Sequence, residues 1–285
     1  MQEGWSDVKK ARVLLVGLLA VSLLGIAGLA AGEVKVNGST TVQPIAIQVQ
    51  NWFLWNNPAI NVSIEATGSG DGIAALINGE CDIAMHSRAM KTSEFGKAVE
   101  NGVFPVIYTV ARDKIAVAVH PSNPVENITM DQLYGIWMGT ITNWSEVGGS
   151  DTPILFGSRD TSSGTFGVWK KLVVKGEDYT GTSVTVVASN SVMQETIASE
   201  PNAIGYVGLA YTEGLKVITV EGYSTASSNY PIARALFIST NGVPTGDTAT
   251  VVDAFMGLVG SCAAVEAKYI PVWPCECDCE GVLPE

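Results

Sequence analysis

Hydrophobic and polar positions alternate in short runs along the chain, and each run is followed by a polar turn. The runs at 33–37, 62–66 and 82–85 have the period of two that predicts strands. After the first run, apolar residues recur at helical spacing from Ile45 to Phe53. A strand, a turn and a helix repeated in this order predict an α/β fold with a parallel sheet.

The second half of the chain continues the pattern. Thr129 and Gln132 form a capping box that predicts a helix over Met130–Met138. A long apolar stretch near the end predicts one helix over Thr248–Val265. Further strands are predicted at 115–119, 154–157, 203–207 and 235–238.

The first 32 residues differ from the rest of the chain. Lys9, Lys10 and Arg12 precede an uncharged stretch from Val13 to Gly32 that ends on small residues. This order predicts an export signal, and its length leaves open an uncleaved membrane anchor. We therefore expect an exported protein, periplasmic or on the cell surface, that touches the membrane only through this segment.

The amino-acid composition excludes two classes of protein. Of 285 residues, 47% are hydrophobic, which excludes a disordered chain. The formal net charge of −12 excludes the basic surface that a nucleic-acid-binding protein needs. It also means that any anion site must be built from local dipoles and a few chosen donors.

Five cysteines stand in the sequence, and the last three lie in an acidic tail, residues 274–285. An odd number leaves at least one thiol unpaired or intermolecular. We expect a surface tail with a disulfide or free thiols. The alternative is a soft-metal or redox site, although a closed zinc site needs four ligands. No cofactor and no metal is expected. The cysteines are Cys81, Cys262, Cys275, Cys277 and Cys279.

Three polar turns share one design: each follows a predicted strand, contains Ser or Thr, and opens a predicted helix. A single turn of this kind is explained by helix capping alone. Three helix N-termini that converge would instead surround a small oxyanion with backbone N–H donors and partial positive charge. The turns are Ser39-Thr40-Thr41, Ser69-Gly70 and Ser163-Gly164-Thr165.

Arg159 precedes the third turn and is the only full positive charge that the sequence places firmly at such a site. Its forked donors suit an oxyanion, and the alternative is an ordinary surface salt bridge. Catalysis is poorly supported, because the sequence has two histidines and none of the common hydrolase motifs. We expect no enzyme. A hydrolase that uses Ser69 or Ser163 with His86 is the alternative.

Several of these segments together resemble the phosphate-binding subunit of phosphate-specific ABC importers. The resemblance runs from about Lys35 to Pro271, and the fold that it implies is the type II periplasmic-binding-protein fold, two α/β lobes joined by crossing hinge strands. The segments that carry it are Gly38–Pro44, Gly68–Gly70, Asp82–Met85, Leu133–Gly149, Arg159–Thr165 and Ala203–Val207.

The resemblance also implies domain boundaries. The hinge strands would cross near Thr109–Val119 and Tyr230–Ile238. The predicted divisions are the N-terminal segment 1–32, a first lobe of 33–113 and 232–273, a second lobe of 114–231, and the tail 274–285.

Carried over by position, the resemblance implies that phosphate is bound by all three turns and Arg159. One position departs from the best-known members of the family, where an aspartate accepts the proton of hydrogen phosphate. Here the matching residue is Ser87, followed by Arg88, and Asp71 or Asp160 is a candidate for the missing acceptor. We expect phosphate to be preferred over sulfate by a smaller margin than an aspartate would give. The implied ligands are Ser39, Thr40, Thr41, Ser69, Ser87, Arg159, Ser163, Gly164 and Thr165.

The implied protein is a monomeric, non-enzymatic receptor that closes two lobes on inorganic phosphate and delivers it to the membrane subunits of an ABC permease. One alternative is the same fold with another tetrahedral oxyanion, such as sulfate. A second is a phosphate sensor or surface protein without transport.

Overall fold

The structure is a computed structural model that describes residues 32–273, 279 and 281–284. The predicted export segment, apart from Gly32, lies outside the described residues, as do Cys275 and Cys277 of the tail.

A mixed sheet of ten strands runs through the described residues in the order β2-β1-β3-β11-β4-β8-β6-β7, with β9 and β12 added to β4. Strands β5 and β10 pair separately. The strands are β1 (Gly32–Gly38), β2 (Ile60–Glu65), β3 (Ile83–His86), β4 (Pro105–Val119), β5 (Asn127–Ile128), β6 (Leu155–Arg159), β7 (Val184–Val187), β8 (Ala203–Gly208), β9 (Lys216–Val217), β10 (Thr219–Val220), β11 (Ala233–Asn241) and β12 (Ile270–Pro271).

Helices connect the strands as the sequence pattern predicts, and the α/β class is confirmed. The capping box is confirmed too, since Thr129 accepts from the Gln132 N–H and the Gln132 side chain accepts from the Thr129 N–H. The helices are α1 (Gln43–Asn56), α2 (Ser69–Asn78), α3 (Thr92–Glu100), α4 (Met130–Met138), α5 (Gly164–Leu172), α6 (Asn190–Ser199), α7 (Gly246–Met256) and α8 (Leu258–Glu266), with 3-10 turns at Trp144–Val147 and Leu209–Tyr211.

Strands β4 and β11 lie next to each other in the middle of the strand order and join the two parts of the sheet. The first part of β4 pairs antiparallel with β11 up to Lys114, and its last five residues pair with β8. One apolar core packs α1, α7 and α8 on β1 to β3, and another packs α4 and α5 on β6 and β8. The charged residues Asp113 and Arg234, opposite each other on the two long strands, lie between these cores. The boundaries given for the two lobes stay a prediction.

The single helix predicted over 248–265 is wrong, because the structure has two helices, bent by 50° at Gly257. A Cβ added at Gly260 would lie 1.9 Å from the Phe255 carbonyl oxygen, so the turn back is tight enough to need glycine there. Apolar residues continue on both sides of the break, which hides it in the sequence. Among the described residues no single helix is long and apolar enough to span a membrane, and this bent pair reaches that length and hydropathy only when its two helices are taken together.

Three of the five cysteines lie in the described residues, and two of them form a disulfide. Cys262 of α8 forms a disulfide with Cys279 of the tail. Cys81 is buried as a free thiol, and burial raises its pKa to about 12. No group of three metal-ligating side chains is found among residues 32–273, 279 and 281–284.

His86 ends β3 and is fully buried against β11. Its Nδ1 lies 2.8 Å from the Arg88 carbonyl oxygen and its Nε2 lies 2.6 Å from the Ser239 hydroxyl. Because a carbonyl can only accept, Nδ1 carries the proton and Nε2 accepts from Ser239. Burial lowers the pKa of His86 to about 4, so the ring stays neutral in the folded protein near neutral pH.

The first prediction concerns acid stability. Between pH 6.5 and 4 the unfolded chain binds a proton at His86 that the folded chain does not, so the free energy of unfolding decreases as the pH falls through this range. At about pH 4.5 the decrease due to His86 amounts to roughly 2–3 kcal/mol. We expect the free energy of unfolding of His86→Gln, measured by chemical denaturation, to depend on pH less steeply than that of the parent.

His120→Gln provides the control, because His120 is the only other histidine in the chain. An equal change of slope in both variants would contradict the assignment to His86.

Candidate functional site

The turns before α1, α2 and α5 and the end of β3 converge on one buried group of polar side chains, here called the polar cluster. Hydrogen bonds join its parts: the Thr41 and Thr165 hydroxyl oxygens lie 3.1 Å apart, and those of Ser69 and Ser87 lie 3.2 Å apart. Each member's side chain is buried. The members are Ser39, Thr40, Thr41, Ser69, Ser87, Asp113, Arg159, Ser163, Thr165, Asn190 and Arg234.

The first turn is held by the neighbouring strand β3. Gly38 has φ +135°, and a Cβ there would lie 2.2 Å from the Met85 carbonyl oxygen, so this close approach requires glycine. The Ser39 N–H donates to the same carbonyl at 2.9 Å, and the Ser39 hydroxyl accepts from the Thr41 N–H. The turn is therefore fixed before any ligand contacts it.

The third turn approaches the second closely. Ser163 caps α5 by accepting from the Phe166 N–H, so the capping role expected for it is present. A Cβ added at Gly164 would lie 2.3 Å from the Ser69 hydroxyl oxygen and 2.5 Å from that of Ser87. Only a residue without a side chain allows the N-terminus of α5 to come this near to α2 and β3.

Arg159 is buried at the end of β6. In the part of the chain that the structure describes it has no ion-pair partner, which contradicts the alternative that Arg159 forms an ordinary surface salt bridge. Its Nε donates to the Val187 carbonyl at 3.1 Å and its Nη2 to the Ala188 carbonyl at 2.7 Å. Nη2 also lies 3.4 Å from the Thr40 hydroxyl. Nη1 is buried and has no hydrogen-bond partner among the described residues. Burial lowers the pKa of the guanidinium from its usual value, but an arginine stays charged in proteins.

A second guanidinium belongs to the cluster, so Arg159 is not its only full positive charge. Arg234 donates from Nε at 2.9 Å and from Nη2 at 2.7 Å to Asp113 Oδ2. Its Nη1 donates to the Thr165 hydroxyl at 2.7 Å, and Nη2 also contacts the Thr41 hydroxyl at 3.2 Å. Burial raises the pKa of Asp113, against the attraction of Arg234 and the hydrogen bond from the Leu209 N–H.

Asn190 is a further member that sequence reasoning missed. At the start of α6, its Nδ2 donates to the hydroxyls of Thr40 and Thr41, at 3.0 Å each. Its Oδ1 accepts from the Gly208 N–H at 3.3 Å, which fixes the orientation of the amide. The sequence carried a signal for Arg234, which is the one charged residue in the apolar run from Ile232 to Ile238, but none for Asn190.

The remaining predicted residues divide into those inside and those outside the cluster. Ser87 lies inside. Arg88 is turned away and paired with Glu94 by two hydrogen bonds of 2.6 and 2.8 Å. Asp71 is exposed on α2, and the Asp160 carboxylate accepts from the N–H and hydroxyl of Ser162. The expectation that Asp71 supplies an acceptor in the cluster is therefore wrong, and the same expectation for Asp160 stays a prediction.

Within the described residues the cluster has one positive charge without an ion-pair partner, because Asp113 pairs with Arg234 and the hydrogen-bond partners of Arg159 are neutral. Most other members are hydroxyls, which can donate to an oxygen without adding charge. Such a set suits a small anion with several unprotonated oxygens.

Comparisons with known proteins agree with this chemistry. A family model described as a PBP superfamily domain matches residues 26–257. The phosphate-binding protein PstS of Bacillus subtilis is 30% identical over 85% of this chain and 82% of its own length. That of Borreliella burgdorferi is 33% identical over 81% of this chain and 88% of its own length.

Solved structures give the same result. A phosphate ABC transporter substrate-binding protein from Clostridium perfringens, with bound phosphate, superposes with a TM-score of 0.79 at 27% identity, over 85% of this chain and all of that one. An ABC-type phosphate transport receptor from Vibrio cholerae gives a TM-score of 0.67 at 30% identity, over 85% of this chain and 100% of that one. The predicted type II periplasmic-binding-protein fold is confirmed. By its family match and its identity to these relatives, the chain belongs to the PBP superfamily and, within it, to the family of the phosphate-binding protein PstS.

Proposed function

We propose that the polar cluster is the place where this substrate-binding protein captures inorganic phosphate. The observation that carries the proposal is the buried Nη1 of Arg159, which has no partner among the described residues. A buried donor on a charged group costs free energy unless an acceptor meets it. A phosphate oxygen supplies that acceptor, and its charge compensates the guanidinium.

The hydroxyls and helix ends complete the binding site. Thr40, Thr41 and Ser69 approach from the side of α1 and α2, while Ser163, Gly164 and Thr165 approach from the start of α5. Oriented N–H groups at helix N-termini stabilise an anion. We infer that phosphate holds these two sides together, so that the lobes close when it binds, which is the usual motion of such folds.

We infer that the protein binds phosphate and does not hydrolyse phosphate esters. His86, the only histidine near the cluster, makes its hydrogen bonds to the Arg88 carbonyl and the Ser239 hydroxyl, not to Ser69 or Ser163. With a pKa lowered to about 4 it would also be a weak base. Sulfate is the less favoured ligand, because the relatives and structures described above are named for phosphate.

The names of two similar structures support a proposal for the physiological partners. The Clostridium and Vibrio structures are described as parts of phosphate ABC transporters. We infer that this chain, as a monomer, acts outside the cytoplasm and passes phosphate to the membrane subunits of such a transporter, held near them by the apolar N-terminal segment if that segment is not cleaved.

The second prediction tests Arg159. A charge-assisted hydrogen bond to a buried anion contributes about 1.5–3 kcal/mol, so Arg159→Ala should weaken phosphate binding roughly ten- to a hundredfold in calorimetry. Arg159→Lys should recover only part of the affinity, since an ammonium lacks the planar fork. Arg88→Ala should cost less, because Arg88 is held by Glu94.

Arg112→Ala is the matched control, since Arg112 is an exposed arginine on β4. Parent-like phosphate binding by Arg159→Ala, in a folded protein, would remove Arg159 from the site.

The third prediction tests closure around Gly164. The methyl group of Gly164→Ala would overlap the Ser69 and Ser87 hydroxyls. Overpacking of this kind costs about 1–3 kcal/mol, so phosphate affinity should fall roughly ten- to a hundredfold. The melting temperature without phosphate should change little, because the overlap arises only when the two sides meet.

Gly96→Ala in α3 is the control, because an added Cβ there would meet no atom within 4 Å. Unchanged affinity in Gly164→Ala would mean that phosphate binds without the contact seen in this structure.

A further inference from the structure

We propose that the edge of the sheet at which β1 begins is a membrane-contact surface, through which the protein rests on a lipid bilayer. This edge, here called the strand-start edge, carries exposed large apolar side chains. The inference rests on the proposed retention of the N-terminal segment, and it concerns a surface away from the polar cluster. The exposed apolar residues of the edge are Leu54, Trp55, Phe104 and Val243.

The register of the strands brings several chain ends to the strand-start edge. Val36 of β1 lies opposite Ile83, the first residue of β3. Asn241, the last residue of β11, lies opposite Pro105, the first residue of β4. Because β11 runs antiparallel to both β3 and β4, the strands β1, β3 and β4 begin, and β11 ends, at one edge of the sheet. The polar cluster lies at the opposite ends of β1 and β3.

Four of the five most exposed large apolar side chains in the described residues lie at this edge. Phe104 directly precedes β4 and is 61% exposed, and Val243, two residues beyond β11, is 80% exposed. Hydrogen bonds join their two segments, since the Phe104 N–H donates to Asn241 Oδ1 at 3.0 Å and the Gly242 N–H donates to the Phe104 carbonyl at 2.8 Å. Phe104 and Val243 therefore form one apolar part of the edge.

The other apolar part is the end of α1. This helix leaves the far end of β1 and returns to the start of the neighbouring strand β2, so its last turn lies beside the strand-start edge. Asn37 near the end of β1 donates to Glu65 at the end of β2 at 3.0 Å, so the two strands end together. Leu54 is 59% and Trp55 75% exposed on this turn. Tryptophan is enriched at membrane interfaces, where its ring meets lipid and its N–H meets water.

The chain itself indicates a bilayer as the occupant of this surface. The uncharged stretch Val13–Gly32 ends where β1 begins, so the sequence has no linker between the two. About 20 apolar residues suffice to cross the hydrocarbon core, and a segment that crosses it places the start of β1 at the membrane surface. Neighbouring strands lie about 4.8 Å apart, so Val243 and Phe104, beside strands two and three positions from β1, lie roughly 10–15 Å along the edge from that point.

The charges at the edge favour a membrane with a neutral surface. Glu33, Glu80 and Asp82 are exposed near the start of β1, and Lys35 offsets only part of their charge. Anionic headgroups attract basic segments and repel acidic ones. We infer that the edge contacts lipid through its apolar side chains and not by charge, which makes zwitterionic phosphatidylcholine the suitable test membrane.

This contact gives the protein a defined orientation. The strand β1 has seven residues, and at about 3.3 Å per residue its two ends lie roughly 20 Å apart. The polar cluster at the far end of β1 is therefore held above the lipid surface, where phosphate arrives from solution.

The fourth prediction tests the contact of Trp55 with lipid. The full chain is reconstituted into phosphatidylcholine nanodiscs with and without brominated acyl chains, which quench nearby tryptophans. Trp5 is replaced by Phe in every sample, so that it adds no signal from the other end of the apolar stretch. The parent should lose fluorescence in brominated nanodiscs, and Trp55→Gln should remove most of that loss. Trp273→Gln is the matched control, because Trp273 is 60% exposed and follows β12, and it should keep the parent quenching.

Equal quenching in the parent and in Trp55→Gln would overturn the proposal. Shielding of Trp55 by a second copy of the chain, seen as a dimer without bromine quenching, would also overturn it. The same holds if the mass of the protein isolated from its own cells shows that residues 1–31 have been removed. Phosphate binding by Trp55→Gln in the same nanodiscs should equal that of the parent, so a failure of the proposed function would appear separately.

The fifth prediction concerns the apolar part beside β4 and β11. Phe104→Ser with Val243→Ser keeps Trp55 but removes the second apolar contact, so the edge should be held less firmly on the bilayer and the quenching should fall. Val186→Ser with Val192→Ser is the control, because both valines are exposed on β7 and α6, and it should keep the parent quenching. Parent-like quenching in the Phe104 variant would overturn the assignment of this part of the edge to the membrane.

Discussion

The proposed site depends on a buried guanidinium that forms no ion pair with any carboxylate in the part of the chain that the structure describes. Arg159 is held by the carbonyls of Val187 and Ala188, which fix its position but leave its charge in place. On a chain of net charge −12, the bulk field repels an anion. In the proposed site, the attraction for phosphate therefore comes from this uncompensated charge and from the dipoles around it. Taken together, the other polar members of the cluster add donors without adding net charge, because the charges of Arg234 and Asp113 compensate each other.

The fold places these groups by bringing strand ends together. Turns at the ends of β1, β3 and β6 bring hydroxyls to one place, and the long strands β4 and β11 carry Asp113 and Arg234 between the two apolar cores. Arg234 contacts Thr41 on one side and Thr165 on the other. An ion pair on the strands that join the two halves thus also organises the hydroxyls that the halves contribute. Removing either partner alone would leave a buried charge unpaired, which is strongly destabilising.

Much of this architecture could be predicted from sequence, because it follows from local pattern. The strands and helices up to β3 show clear hydrophobic periodicity, and each of the three Ser/Thr turns is recognisable as a polar segment before a predicted helix. The break at Gly257 could not, since apolar residues continue through it. Asn190 could not be predicted either, because its role depends on α6 lying beside a turn that is 150 residues away in sequence. The prediction for Asp71 is wrong for the opposite reason. Asp71 is near the second turn in sequence, but the helix directs its side chain to solvent.

A crystal structure of the protein grown with phosphate would show whether the buried Arg159 binds the anion. We expect one phosphate in the polar cluster, with one oxygen about 3 Å from Arg159 Nη1 and another at the same distance from the Thr165 hydroxyl. The hydrogen bonds of Arg234 to Asp113, Thr41 and Thr165 should remain. Phosphate bound away from Arg159, or a cluster that stays free of phosphate while the anion occupies another site, would contradict the account.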